Sequence, residues 1–259
     1  MNTTLELFWD LASLDQGKRL RAAADLVRAL HTFQRAHRSG FADSDWDRLV
    51  DACAAAARKR RASAGARVEA EPEPDDGGDS VMEDADGGRE RSERGATETD
   101  GGADCPSGAE NVNPAGVSLK KVDFAQLDRL CAPDVSYALK RLLRGLPSSR
   151  DGARQGFALA LTEVLAFLDF LDVSTVLDLI AQHTEVSSGL KGPEERDMLF
   201  GRLFGYTAVV QSGMLARPST TLAQFQHLVT AAMGCARKKS FLMEGCYRVV
   251  GAALCTVGF

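Results

Sequence analysis

Residues 133–168 read PDVSYALKRLLRGLPSSRDGARQGFALALTEVLAFL. Val135, Leu139, Leu142, Leu143 and Leu146 recur at helical spacing, with Lys140, Arg141 and Arg144 on the polar side, which predicts an amphipathic helix starting at Asp134 or Ser136. Pro147 ends it, because proline lacks the amide hydrogen and clashes with the preceding turn. Ser148 and Asp151 then have the spacing of a capping box, S-x-x-D. Ala153, Gly156, Phe157, Ala160, Leu161, Val164, Leu165 and Leu168 follow along one helical face. The stretch is a helical hairpin.

The same grammar extends in both directions. Downstream, Val173, Val176, Leu177 and Ile180 predict one helix, and Pro193 with Glu194, Glu195 and Asp197 starts another that runs to about Ser212. That helix is apolar nearly all round, so it belongs in the interior. Its Gly201 and Gly205 lower helix propensity by roughly 1 kcal/mol each, which close approach of a neighbouring helix offsets better than a catalytic role explains. Further helices run through Leu222, Phe225 and Leu228, and after Ser240 through Phe241, Val249 and Leu254. Upstream, two helices open the chain: Leu5, Phe8, Trp9 and Leu11 begin a short, turn-rich amphipathic one, and Asp15 caps a second that runs to Gln34; a third helix spans about Ser44 to Arg60. Phe124 to Leu130 makes a short helix closed by Pro133. Helix starts near Ser148, Pro193 and Ser240 fit the period of about 40 to 47 residues of HEAT and armadillo arrays. The expected fold class is therefore all-α, a HEAT/armadillo-like α-solenoid of antiparallel helix pairs.

Composition divides the chain. From Glu69 to Asp104 fourteen acids face three arginines, a segment charge of −11; with a chain total of −5, the remainder carries +6. Between Ala62 and Ser118 Gly, Pro, Ser and Ala dominate, and large apolar residues are too sparse to offset the entropy of ordering. The expected organisation is N-terminal solenoid helices over 1–61, a disordered acidic insert over 62–118 and a helical-repeat block over 119–259. Few aromatics, at 7%, argue against an all-β fold. No apolar run approaches the roughly 20 residues of a membrane span, and acids near Met1 argue against a secretory signal. The six cysteines form no CxxC pair, so reduced thiols are expected rather than zinc ligands or disulfides.

Chemistry-bearing motifs are scarce. Nucleophile elbow, P-loop, dinucleotide glycine fingerprint and HExxH are all missing from the sequence. Asp43, Asp45 and Asp47 serve a helix start, and His31 and His227 lie beside apolar faces as partly buried imidazoles. No catalytic residue, metal, cofactor or small-molecule substrate is assigned. The basic residues say more: Lys140, Arg141, Arg144, Arg150 and Arg154 occupy adjacent ends of consecutive helices, and Arg237, Lys238 and Lys239 close another. They form either a solvated complement to helix C-termini or a surface for nucleic acid or an acidic partner. Arg58, Lys59, Arg60 and Arg61 read as a nuclear-import run.

Specific strings carry a resemblance. Leu7-Phe8-Trp9-Asp10-Leu11-Ala12 followed by Lys18-Arg19-Leu20-Arg21-Ala22-Ala23 resembles the opening of the Myb-binding protein 1a / DNA polymerase V (polymerase phi) family. Tyr137-Ala138-Leu139-Lys140-Arg141-Leu142 with Arg144-Gly145-Leu146, and then Phe157 to Leu165, resembles its most recognisable block. Glu195-Arg196-Asp197-Met198-Leu199-Phe200-Gly201-Arg202-Leu203-Phe204-Gly205 and Gln211-Ser212-Gly213 resemble the next. The resemblance implies a non-enzymatic nuclear, nucleolar repeat scaffold in ribosomal RNA gene transcription and ribosome biogenesis. Its implied partners are rDNA or rRNA, transcription regulators and pre-ribosomal factors, with no membrane. A coregulator that binds amphipathic peptides is the alternative, and a DNA polymerase the remote one, since no palm-like carboxylates at strand ends are visible. Family members are longer, with an acidic region and basic tail downstream, so the chain is expected to be an N-terminal portion.

Overall fold

The computed structural model describes residues 2–68, 124–187 and 189–257. Every regular element among them is helical: α1 (Asn2–Leu11), α2 (Gln16–Arg38), α3 (Asp43–Val68), α4 (Phe124–Leu130), α5 (Pro133–Gly145), α6 (Asp151–Phe167), α7 (Val173–His183), α8 (Gly192–Gln211), α9 (Leu222–Lys238) and α10 (Met243–Thr256). Short 3₁₀ turns at Met214–Ala216 and Ser240–Leu242 link the last three. The all-α expectation holds.

The starts of the helices follow local chemistry. Asp15 caps α2, its carboxylate accepting from the amides of Gly17 at 2.7 Å and Lys18 at 3.3 Å. Asp172 caps α7 through the Thr175 amide at 2.9 Å. Thr221 and Gln224 form a reciprocal capping box on α9. The segment around Leu5 and Phe8 is the first of the two helices expected to open the chain. Two expectations need correction. The Ser148–Asp151 box does not form: Arg150 occupies the cap position, Ser148 Oγ accepts from the Arg150 amide at 3.3 Å, and Asp151 pairs with Arg154 instead. α3 continues to Val68, past the boundary expected at residue 61, and Ala62, Ala64 and Arg67 in that extension are good helix formers. The expected disorder of the acidic insert falls, from residue 69 on, outside the described residues.

Packing arranges most of the helices in two rows. α2, α6, α8 and α10 lie side by side in that order, and α5, α7 and α9 form a second row against them. α1 packs on α2 and α6, while α3 touches α4. Cross-contacts give the directions. Early in their helices, Arg19 of α2 donates to Gln155 Oε1 of α6 at 3.0 Å, and Arg154 of α6 lies 3.5 Å from Asp197 Oδ1 of α8. Gly245 of α10 faces Leu203 of α8. The first row is thus parallel, with its N-terminal ends along one edge. α5 ends beside the start of α6, with Pro147 abutting Gly201 midway along α8, and α9 ends near the start of α8, where Lys239 pairs with Glu195 at 3.2 Å. α8 touches both rows, as its all-round apolar sequence requires. One buried cluster runs from Phe8 through Leu161 and Ile180 to Ala253.

Glycines permit the closest contacts. A Cβ on Gly156 would lie 1.9 Å from the Leu11 carbonyl oxygen, and one on Gly201 would lie 2.7 Å from the Pro147 nitrogen. Buried and half-buried polar side chains then satisfy helix ends and loops across the packing. Arg217, before α9, donates to the carbonyls of Leu165, Ala166, Leu168 and Leu171 at the end of α6, at 2.5 to 3.3 Å. Arg202 of α8 holds Thr184 beyond α7 through its carbonyl at 2.6 Å and its hydroxyl at 3.1 Å. Arg19 holds the α1–α2 connection through the Ser13 and Leu14 carbonyls, both at 2.9 Å. Gln34 of α2 donates to the Leu130 carbonyl at 2.7 Å and accepts from the Ala132 amide at 3.0 Å. Each supplies partners for backbone groups at or just beyond a helix end.

Candidate nucleic-acid interface

Because α5 and α9 end where α6, α8 and α10 begin, the turns joining these pairs share one edge. Most of the basic residues singled out in the sequence lie on it. Arg144 closes α5 and Arg150 precedes α6; both are exposed and have no ion-pair partner among the described residues. Arg237 and Lys238 finish α9, also exposed. Burial and the nearby Arg202 guanidinium push the Lys238 ammonium below its ordinary value, with Cys235 and Glu195 opposing. Two like charges therefore approach each other behind the edge.

The other members of the set are engaged in packing. Arg154 is only 5% exposed, bound to Asp151 and, at 3.5 Å, to Asp197, with its guanidinium near the Phe200 and Phe204 rings. It is an interior clamp, not a surface cation. Lys140 pairs with Asp128 at 2.9 Å. Burial alone would raise the Asp128 carboxyl, but donation from Ser136 and Lys140 outweighs it and holds the group below its usual value. Arg141 lies 4.5 Å from the Phe8 ring and donates to the Tyr137 hydroxyl at 2.8 Å, tying α5 to α1. Lys239 is held by Glu195. Arg58 and Lys59 are exposed on α3; the side chains of Arg60 and Arg61 lie outside the described set.

Two cations escaped the sequence reading. Lys191 and Arg196, at the start of α8, sit in the α7–α8 turn region and are exposed, Arg196 with a long 3.8 Å contact to Asp197. In the sequence they are obscured by Glu194, Glu195 and Asp197. The usable signal is topological: in a two-row stack each turn between the helices of a pair returns to the same edge. The exposed set is thus Arg144, Arg150, Lys191, Arg196, Arg237 and Lys238, spread over three successive turns. Such an array can engage phosphates spaced along a strand without reading bases.

The aspartates near the start of α3 are spoken for in part: Asp43 pairs with Arg38 at 2.6 Å and Asp45 with Arg48 at 2.8 Å. Among the described residues no helix is long and apolar enough to cross a membrane.

Residues 137–258 match the family described as DNA polymerase phi. The chain is 41% identical over 117 residues to the rDNA transcriptional regulator pol5 of Schizosaccharomyces pombe, a match covering 45% of this chain and 12% of that protein. It is 31% identical over 159 residues to the rDNA transcriptional regulator POL5 of Saccharomyces cerevisiae, covering 51% and 15%. With human Myb-binding protein 1A it shares 34% identity over 98 residues, covering 38% and 7%. The matched stretch thus spans between 7% and 15% of these relatives. No solved structure matches the chain.

Proposed function

We propose, for a chain that belongs through residues 137–258 to the DNA polymerase phi family, a role as a non-enzymatic helical-repeat scaffold in the nucleolus, serving rDNA transcription and ribosome biogenesis. The observation that carries this reading is the gathering of exposed cations from three successive turns on one edge, in a chain whose relatives are named rDNA transcriptional regulators. The two-row packing supports a HEAT/armadillo-type solenoid, in which helix pairs stack and display an extended flank. The relatives' names as regulators support scaffolding over catalysis. Arg58 and Lys59, exposed on α3, are available to an import receptor.

The edge binds the phosphate backbone of rDNA or rRNA. Binding should therefore weaken steeply with salt. Reversing Arg144, Arg150 and Arg237 to Glu should lower affinity for DNA and RNA of any sequence and flatten the salt slope by about one for each phosphate no longer neutralised. A fluorescence-anisotropy titration of the full chain against duplex DNA and single-stranded RNA at several salt concentrations measures this; a slope unchanged by the triple reversal removes the edge from the interface. A primer-extension assay on the same protein separates scaffolding from polymerase activity, with no nucleotide incorporation expected.

A second reading has its own support. An apolar groove of about 330 Å³ between α8 and α10, lined by Leu203, Phe204, Val210, Val249 and Ala252, has the character of a site for an amphipathic peptide helix. Peptide binding there would survive the edge reversals and fail with Ala252→Glu.

A further inference from the structure

α9 and α10 pack as a hairpin across the turn at Ser240–Leu242. Cys235 stands three residues before the end of α9 at Lys238, and Cys246 three residues after the start of α10 at Met243, so the two lie level across the hairpin. Both belong to the inward stripes, Leu228, Ala232 and Cys235 on α9 and Cys246, Val249 and Ala253 on α10. Cys235 is 2% exposed and Cys246 0%. Both thiols are free, and they are hydrogen-bonded to each other. Sulfurs in mutual contact need only a short approach to reach the S–S bond length of about 2.05 Å.

The surroundings polarise the pair. Arg202 of α8, itself buried, donates to the hydroxyl and carbonyl of Thr184, both neutral, and has no carboxylate within ion-pair distance among the described residues. An uncompensated guanidinium in the interior favours an anion beside it. The group its charge reaches is Cys235. Donation from Cys246 lowers the Cys235 thiol most, and Arg202 and Lys238 lower it further, against the opposing effect of burial. The same bond raises Cys246, and burial adds to that rise. One sulfur is thus the nucleophile while the other holds the proton, as attacking and resolving thiols do. Cys131, by contrast, is pushed up to about 12 by burial, with Asp128 and Cys53 adding to it. Access comes from the helix end: Cys235 sits in the last turn of α9 beside exposed Arg237 and Lys238, where local opening is easiest.

We propose that Cys235 and Cys246 form a peroxide-sensing dithiol, in which hydrogen peroxide converts the two thiols into a disulfide that staples α9 to α10. The Cys235 thiolate attacks one peroxide oxygen; the S–O bond forms, the O–O bond breaks, and the departing hydroxide takes up the proton that Cys235 had released. The Cys246 sulfur then attacks the sulfur of the Cys235 sulfenic acid. The S–S bond forms, the S–O bond breaks, and the Cys246 proton leaves with the oxygen as a second water. The two thiols lose two electrons in all, and the peroxide gains them. The staple brackets the turn that carries Arg237 and Lys238 and removes the negative charge that Cys235 sets beside Lys238. Its formation is independent of whether the basic edge binds nucleic acid.

Treating the intact chain with hydrogen peroxide, blocking free thiols with iodoacetamide and digesting with trypsin tests this. Cleavage at Arg237, Lys238 and Lys239 puts the two cysteines on separate peptides, so a disulfide joins them in the mass spectrum and dithiothreitol parts them. The expected result is the joined peptide as the main product from the folded chain. Its urea midpoint should shift above that of the reduced chain, because the staple restrains the unfolded state. Cys235→Ala and Cys246→Ala should each abolish that shift. In the Cys246→Ala chain dimedone should trap a sulfenic acid at Cys235, whereas in the Cys235→Ala chain Cys246 should stay unlabelled. Circular dichroism shows whether either variant folds, and the peptide map of the parent chain decides the matter without them. Recovery of two separate peptides from the peroxide-treated parent overturns the proposal. So does joining that requires prior unfolding in urea, or a disulfide from Cys235 to any cysteine other than Cys246.

Discussion

Arg217 donates to the carbonyls of four α6-terminal residues, and burial lowers its pKa only in part because Asp169 opposes the shift. Substituting Met keeps the aliphatic stem and deletes the guanidinium, leaving those carbonyls to partial rehydration. The expected loss is about 2–3 kcal/mol, read as a lower urea midpoint at constant m-value. His183 gives a different signal. Burial, with Arg144 adding to it, lowers its pKa, while the bond between Nδ1–H and the Leu179 carbonyl at 2.9 Å opposes. The folded state therefore binds its proton less readily than the unfolded chain. The associated stability is complete above the ordinary value near 6.5 and is lost as pH falls from there toward the depressed folded value. His183→Gln should flatten the fall in urea midpoint between about pH 7.5 and 5.5 relative to the parent; parallel curves would assign the acid sensitivity to other groups. The Asp15 cap was legible at this scale, because it depends on neighbours two or three residues away. Arg19, Arg202 and Arg217 were not, since an arginine that serves another helix looks in sequence like any solvated cation.

At the scale of the helix, hydrophobic period placed most of the elements. It gave α4 to within its ends and identified α8 as interior from its apolar circumference. The start of α6 was misread because S-x-x-D is necessary but not sufficient for a box: the turn after Pro147 leaves Ser148 serving the Arg150 amide, and Arg154 captures Asp151. Gly201 and Gly205 were expected to admit a neighbour, and they meet Pro147 and Ile180. Gly156 was counted only as one more position on an apolar face, yet its approach to a neighbour is the tightest of the helical glycines. Gly156→Ala favours the isolated helix by about 1 kcal/mol but drives a methyl into the Leu11 backbone. The net effect should be destabilising by about 2–4 kcal/mol, with α1 displaced from α6; hydrogen exchange in α1 faster than in the parent would show the displacement, and unchanged protection would refute it.

For the whole molecule, parallel helices in one row and antiparallel ones in the other set N-terminal and C-terminal ends side by side along the basic edge. Their macrodipoles oppose each other there, so the edge owes its potential to side chains. This is why Lys191 and Arg196 could not be recruited from sequence alone: their membership depends on which turns return to the same edge, a property of the three-dimensional order of the rows. The separation of charge between the body and residues 69–104 was plain from composition, because it needs only counting.

Gly156 against Leu11, Arg19 with Gln155, and Gln34 with Leu130 and Ala132 all join residues before 69 to residues after 123. The adhesion of these two parts is therefore noncovalent and specific, so residues 1–68 and 124–259 supplied as separate polypeptides should find each other and rebuild the same core.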